Sequence, residues 1–252
     1  MRTILILAAT LVAARAEGQT LAARIAASRA EKVTFTFEGR EGICGNGESF
    51  NIGTVRRQVN GNGWECTEGP VRVTLTRGTG SGRERGSWSR LKTTVAGRAP
   101  EGAEDLGLVP AAEASDWLLD LAEAGDTRVG NEAVMPGVIG RDVESWPRLA
   151  AMAKRQQLPE EIRKQAIFWL GQEAAEHAVG TLEEVADDPD REMRKSALFA
   201  LSQLGTDRSI EVLIRVARTH PDKETRRNAF FWLGQTEDPR GIALFEEVLA
   251  GR

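Results

Sequence analysis

Few residues in this chain are suited to act on a substrate. Two histidines, two cysteines and no tyrosine leave little material for acid–base, nucleophilic or metal chemistry. Neither His177 nor His220 has a Cys neighbour or completes an Asp-x-His or Glu-x-x-His pair at metal-ligand spacing, so both read as surface histidines. Glu41, Glu48 and Glu68 surround the cysteine pair, but paired carboxylates work only at defined separations, and no spacing here fixes two of them opposite each other. Cys44-Gly45-Asn46-Gly47 is rich in glycine, yet a phosphate cradle needs a strand before it and a helix after it. Glu48-Ser49-Phe50-Asn51 opens no amphipathic helix, so a turn is expected. Arg77, Arg83, Arg85 and Arg90, set among Gly and Ser, read as a solvated hairpin loop rather than a site for an acidic partner. No catalytic residue, metal or cofactor is assigned from these residues.

The cysteines take their meaning from the start of the chain. Residues 1–16 read as a secretory signal peptide: Arg2 is the positive start, Ile4 to Ala14 the apolar run, and Ala14-Arg15-Ala16 a small-x-small cleavage site. An uncleaved anchor is the alternative, but the run is too short to span a bilayer, and no stable membrane span is expected after cleavage. Cleavage removes two of the 33 basic residues, leaving 31 against 37 acidic ones and a net charge of −6. That balance argues against a nucleic-acid binder, which needs clustered Lys and Arg. In an oxidising compartment Cys44 and Cys66 are expected to form a disulfide. The loop it closes makes the bond worth about 3 kcal/mol in the chain-entropy model.

The elements around these residues change character along the chain. Val33, Phe35 and Phe37 alternate with polar residues, as do Val71, Val73 and Leu75, which is the period of half-buried strands. Leu91, Thr93 and Val95 suggest another strand, and Asn60-Gly61 and Asn62-Gly63 are hairpin-turn dipeptides. Residues 17–100 are therefore expected to hold a small antiparallel β-rich domain with one disulfide, and the Pro- and Gly-containing stretch from Ala96 to Gly107 reads as a linker.

Residues 101–252 read as helical repeats. The heptapeptide Ala166-Ile167-Phe168-Trp169-Leu170-Gly171-Gln172 returns as Ala229-Phe230-Phe231-Trp232-Leu233-Gly234-Gln235, with a looser copy from Ala197 to Gln203 between them. Self-similarity at about this period marks stacked helix pairs. Leu118, Leu149, Leu182, Leu213 and Phe245 form one apolar column, and Leu121, Met152, Val185, Val216 and Val248 another, giving about five pairs. First helices are expected to open at Pro159, Pro189 and Pro221, with Asp188 as an N-cap and Gly171, Gly205 and Gly234 breaking helices near their ends. Ile242, Phe245 and Val248 are expected to be the buried face of the last helix. Trp169 and Trp232 read as packing residues, whereas Trp117 and Trp146 suit interface anchors.

The Pro-x-x-x-Arg-Lys/Arg-x-Ala opening, the Ala-x-x-x-Leu-Gly core and the Leu-x-x-Val second helix resemble the HEAT-repeat family, including its shorter bilin-lyase-like variety. The openings at Pro189 and Pro221 carry one extra residue. The resemblance implies an α-solenoid that binds other proteins, and it carries over no shared catalytic residues. The expected fold class is thus α+β, a C-terminal solenoid of helix pairs behind the β-rich domain.

Two polar columns follow from the repeat. Arg163, Arg194 and Arg226 flank the buried stripe and are expected to form a structural ladder between repeats. Lys154, Asp187 and Arg218, with Glu184, Arg215 and Glu247 beside them, lie opposite the core face of the second helices, the concave surface of such solenoids. Their signs alternate, which does not suit a polyanion. These six are the candidate partner-binding residues, and the function expected is an exported, non-enzymatic protein–protein scaffold or adaptor, periplasmic or extracellular, with a protein partner in the cell envelope. The alternative is an enzyme or enzyme-regulatory subunit with its site in the β-rich domain.

Overall fold

A computed structural model describes residues 19–48, 50–52, 66–78, 87–124, 127–173 and 175–250. Residues 1–16, read as a leader, the Asn-Gly dipeptides at 60–63, and Arg83 and Arg85 lie outside them. Contacts divide the chain between Val143 and Glu144 into two compact units.

The first unit holds α1 (Leu21–Ala27), β1 (Lys32–Phe37), β2 (Ile43–Gly45), β3 (Phe50–Ile52), β4 (Thr67–Glu68), β5 (Val71–Arg77), β6 (Trp88–Val95) and β7 (Glu104–Leu108), followed by α2 (Ala111–Glu123) and α3 (Thr127–Val138). Four strands form one sheet in the order β6-β5-β1-β7, and β3-β2-β4 form a second. β5 is antiparallel to both β1 and β6, with Phe35 opposite Val73 and Leu75 opposite Leu91. β7 lies parallel to β1, so part of the stretch expected to be a linker is an edge strand. It lacks alternation because one of its five residues is Gly107, at φ 77°. Alternation carries less information in β1 as well, because this central strand buries both faces. Phe35 packs edge-on against Trp117 of α2, their ring centres 6.0 Å apart, and on the other face Thr34 Oγ1 donates to Val73 O at 2.8 Å. Trp117 is therefore a half-buried packing residue of this unit. The Cys44–Cys66 disulfide ties β2 to the segment entering β4, with Cα atoms 5.2 Å apart.

Among the described residues, the second unit is a stack of seven helices: α4 (Trp146–Lys154), α5 (Glu160–Glu173), α6 (Ala175–Val185), α7 (Arg191–Leu204), α8 (Asp207–Thr219), α9 (Lys223–Gln235) and α10 (Pro239–Leu249). First helices α5, α7 and α9 stack on one another in one layer, and second helices α4, α6, α8 and α10 in the other. The Ala and Leu of each heptapeptide are at the centre: Ala166, Leu170, Ala197, Leu201, Ala229 and Leu233 are all buried. So are Leu149, Leu182 and Leu213 from the second helices. The small Ala lets helices approach, as does Gly171, where an added Cβ would lie 3.3 Å from that of Ala200.

Several local expectations are corrected. Gly205 ends α7 in the left-handed region at φ 60°, but Gly171 and Gly234 lie inside their helices. The N-caps of α7 and α9 are Asp190 and Asp222, one residue after the prolines, because these have the extended backbone that lets a carboxylate reach the free N–H groups of the first turn. In α10 the buried residues are Gly241 and Leu244, while Ile242 and Val248 are 54% and 53% exposed. Their counterparts Ile210 and Val216 are buried against further repeats, and no described helix follows α10.

Candidate functional site

All six candidate residues lie on or just after second helices, and each carries or adjoins an ion pair to its neighbour. Lys154 Nζ on α4 is 3.0 Å from Glu184 Oε2 on α6. Arg215 Nη2 on α8 reaches back to Glu183 Oε1 at 3.2 Å, and Arg218 Nη2 donates forward to Glu247 Oε2 of α10 at 2.5 Å. Asp187, just past α6, faces His220 Nε2 at 3.4 Å. The alternation of sign from repeat to repeat therefore has a structural cause, since unlike charges on successive helices meet. These pairs are half-exposed, apart from the buried ring of His220. Exposed pairs of this type contribute about 0.2–1 kcal/mol each, so exchanging one for a partner's charge costs little. Beside them Glu183, Arg208, Glu211, Val212 and Arg215 line an open cleft of about 370 Å³.

The arginine column behaves differently. Arg163 is buried, its Nε donating to Ala153 O at 3.0 Å and its Nη2 to Asp188 Oδ2. Asp188 Oδ1 in turn accepts from Asp190 N at 2.8 Å. Arg194 donates to Asp188 O at 2.8 Å and to Thr225 Oγ1 at 2.9 Å, and Arg226 to His220 O at 2.6 Å. Each guanidinium thus donates to a carbonyl in the last turn of a second helix or just past its end, and two of the three also reach an acidic or hydroxyl side chain further along the chain. This is the structural ladder expected from the column, and its donors are committed within the fold.

Both histidines have intramolecular partners. His177 lies flat on Trp146, ring centres 4.4 Å apart and planes 7° from parallel, so Trp146 packs within its own unit. His220 Nδ1 accepts from Asp222 N at 3.1 Å, which places the ring proton on Nε2, facing Asp187. Asp222 is held down to about 2 by the Thr225 hydroxyl and backbone N–H. Asp238 is also held at about 2, by the Arg240 guanidinium and backbone N–H.

In the first unit, Glu41 and Glu68 line one cleft of about 280 Å³ together with Glu38, Arg40 and Arg141, and Glu48 is not among its lining residues. Arg141 Nη2 is 3.3 Å from Glu38 Oε2, so one of these carboxylates is already paired. Among the described residues no group of three or more His, Cys, Asp or Glu is placed to hold a metal ion. The repeated phenylalanines Phe168 and Phe231, which belong to the heptapeptide, are exposed (43% and 56%), a feature the repeat signalled by holding Phe constant at its third position.

Residues 147–229 match the family model of HEAT repeats. No curated protein matches the chain. The match covers α4 to α8 and the first half of α9, which carry the arginine ladder and the ion-paired face apart from Glu247 of α10, and HEAT-repeat solenoids are generally protein-interaction scaffolds and typically non-enzymatic.

Proposed function

We propose that the protein is an exported, non-enzymatic scaffold or adaptor, its solenoid of the shorter bilin-lyase-like HEAT variety, that docks a protein of the cell envelope on the second-helix face. Lys154, Glu184, Asp187, Arg215, Arg218 and Glu247 form that face. The observation that carries this reading is the set of exposed ion pairs joining α4, α6, α8 and α10. Such pairs keep the face soluble when free and can be exchanged for a partner's charges at small cost. Their mixed sign favours a protein over a nucleic acid, whose uniform charge needs clustered cations. Export is supported by the leader-like sequence of residues 1–16 and by the Cys44–Cys66 disulfide, and places the protein in a periplasmic or extracellular compartment. No helix among the described residues is long and apolar enough to cross a membrane.

The test is crosslinking and co-purification from intact cells with the natural protein and with an Arg215→Glu, Arg218→Glu variant. An envelope protein should be recovered with the first and lost with the second, while both melt within a few degrees of each other. Recovery of the same proteins with both variants removes the face from the reading, and recovery of none removes the scaffold.

A further inference from the structure

The first helices carry a second repeated surface, independent of the face above. Counting from each heptapeptide phenylalanine, the residue seven before it is Glu161, Glu192 or Glu224, and four before it Lys164, Lys195 or Arg227. The residue four after it is Gln172, Gln203 or Gln235. At 100° per residue these positions fall within about 40° of the phenylalanine, so each helix shows solvent one stripe of acid, base, Phe and Gln. Packing does not require this identity, because the stripe faces out: Phe168, Phe231 and all three glutamines are exposed, and Phe199 is half-buried. Stacking α5, α7 and α9 turns the stripes into four parallel rows.

The rows divide by chemistry. The acidic and basic rows largely neutralise each other. Lys164 pairs with Glu160 and lies 3.5 Å from Glu161, while Lys195 lies 3.1 Å from Glu192 and 3.7 Å from Glu224 of the next repeat. Arg191 also reaches Glu224. Beside this ribbon runs the aromatic row. Trp232 bridges helices within it, 5.0 Å from Phe199 and 4.9 Å from Phe231, and Phe168 meets Trp169 at 5.3 Å. The exposed glutamines beyond it carry amide N–H donors, one of which, on Gln203, donates to Ser202 Oγ at 3.3 Å and leaves its second N–H for a ligand.

A complementary partner is thus uncharged, meets an aromatic ring at each helix, and presents hydrogen-bond acceptors along one side. Packed helices lie about 8–10 Å apart. A polyproline II strand rises about 3.1 Å per residue with three residues per turn, so one face returns about every 9.3 Å, and all its carbonyls are free. A second copy of the chain fits less well. Three helices of width about 10 Å by a stripe about 16 Å long give roughly 500 Å² per partner, short of the 800 Å² usual for a stable complex.

We propose that the first-helix face, through Phe168, Phe199, Phe231 and the glutamines Gln172, Gln203 and Gln235, binds an uncharged proline-rich segment in the polyproline II conformation that crosses α5, α7 and α9. One turn of the peptide lies over each helix, its rings stacked on the aromatic row and its carbonyls accepting from the glutamine amides, a mode known for aromatic-lined grooves.

The experiment is fluorescence anisotropy with labelled dodecaproline, about 37 Å long and so able to reach all three helices. Tetraproline and a Gly-Ser dodecamer serve as controls, and sedimentation is followed over a concentration series. Saturable binding of dodecaproline is expected, at least tenfold tighter than either control and weakened at least tenfold by Phe168→Ser, Phe231→Ser. A Gln172→Ala, Gln203→Ala, Gln235→Ala variant should weaken it severalfold, and Arg215→Glu, Arg218→Glu on the second-helix face should leave it unchanged. All the substituted side chains are solvent-exposed or half-exposed, and unchanged circular dichroism verifies the fold. Equal binding of the Gly-Ser peptide, no binding of dodecaproline, or retention in the double Phe variant overturns the proposal. So does a dimer that the Phe substitutions dissociate, which would give the face to a second copy. Loss of envelope-protein capture without loss of dodecaproline binding would remove the scaffold reading alone.

Discussion

Arg163 and Arg218 are both arginines paired to an acid, yet they differ in what their removal leaves behind. Arg163 and Asp188 have side chains 4% and 7% exposed, whereas Arg218 and Glu247 stand half in solvent. Truncating one member of a buried pair strands the other's charge in a low-dielectric site, which costs about 3–5 kcal/mol. Truncating a surface pair costs about 1 kcal/mol or less. Arg163→Ala should therefore lower stability in urea melts by several kcal/mol more than Arg218→Ala. Replacing both Arg163 and Asp188 with apolar residues of similar size should recover much of the loss, because no charge is then stranded. Equal effects of the two single substitutions would show that the ladder contributes no more than surface pairing.

At the scale of elements, the helix caps give the solenoid a pH dependence of known sign. Asp222 caps α9 and has a folded pKa of about 2 against an ordinary 3.8, its carboxylate held by the Thr225 hydroxyl and N–H. A depressed carboxylate contributes in full above its unfolded pKa and loses that contribution as pH falls through the folded one. The cap should hold at pH 5 and weaken between about pH 4 and 2. Asp222→Asn keeps a capping oxygen but cannot titrate, so melts of variant and natural protein should converge as pH drops through that window; parallel curves would mean the cap carries no linkage. The final helix should also open first. Its outer face, with Ile242 and Val248, is exposed, so hydrogen exchange in Gly241 to Ala250 should precede that in Ile162 to Leu170. The sequence carried the helix pairs well, because burying an Ala and a Leu four apart in every repeat leaves a period that survives substitution elsewhere. It carried caps and strand edges poorly. Asp188 and Asp190 flank the same proline, and only the backbone angles decide which carboxylate reaches the helix N-terminus. β7 is an edge strand with a left-handed glycine, and its residues alternate with nothing. The ion pairs of the second-helix face were visible as columns of alternating sign, but their partners depend on the offset between neighbouring helices, which sequence spacing leaves open.

For the solenoid as a whole, stability follows from how many neighbours each repeat has. Leu213, on α8, occupies the apolar column in the middle of the stack and is fully buried. Phe245 holds the equivalent place in α10, where it touches Phe230 at a ring distance of 5.8 Å and remains partly open. Phe is the larger side chain, and transfer free energy alone would rank Phe245→Ala as the costlier change. Cavity formation reverses that ranking. Leu213→Ala leaves a void walled by neighbours that cannot all relax, for about 2–5 kcal/mol, whereas the space left at Phe245 opens to water. Because each repeat touches only the next, the loss at Leu213 should broaden the solenoid's unfolding transition by uncoupling the repeats on its two sides. Loss at Phe245 should fray α10 and leave the main transition close to its original temperature. Calorimetric melts of the two variants decide between the rankings, and a clearly lower main transition for Phe245→Ala would mean that α10, despite its open face, holds the stack together.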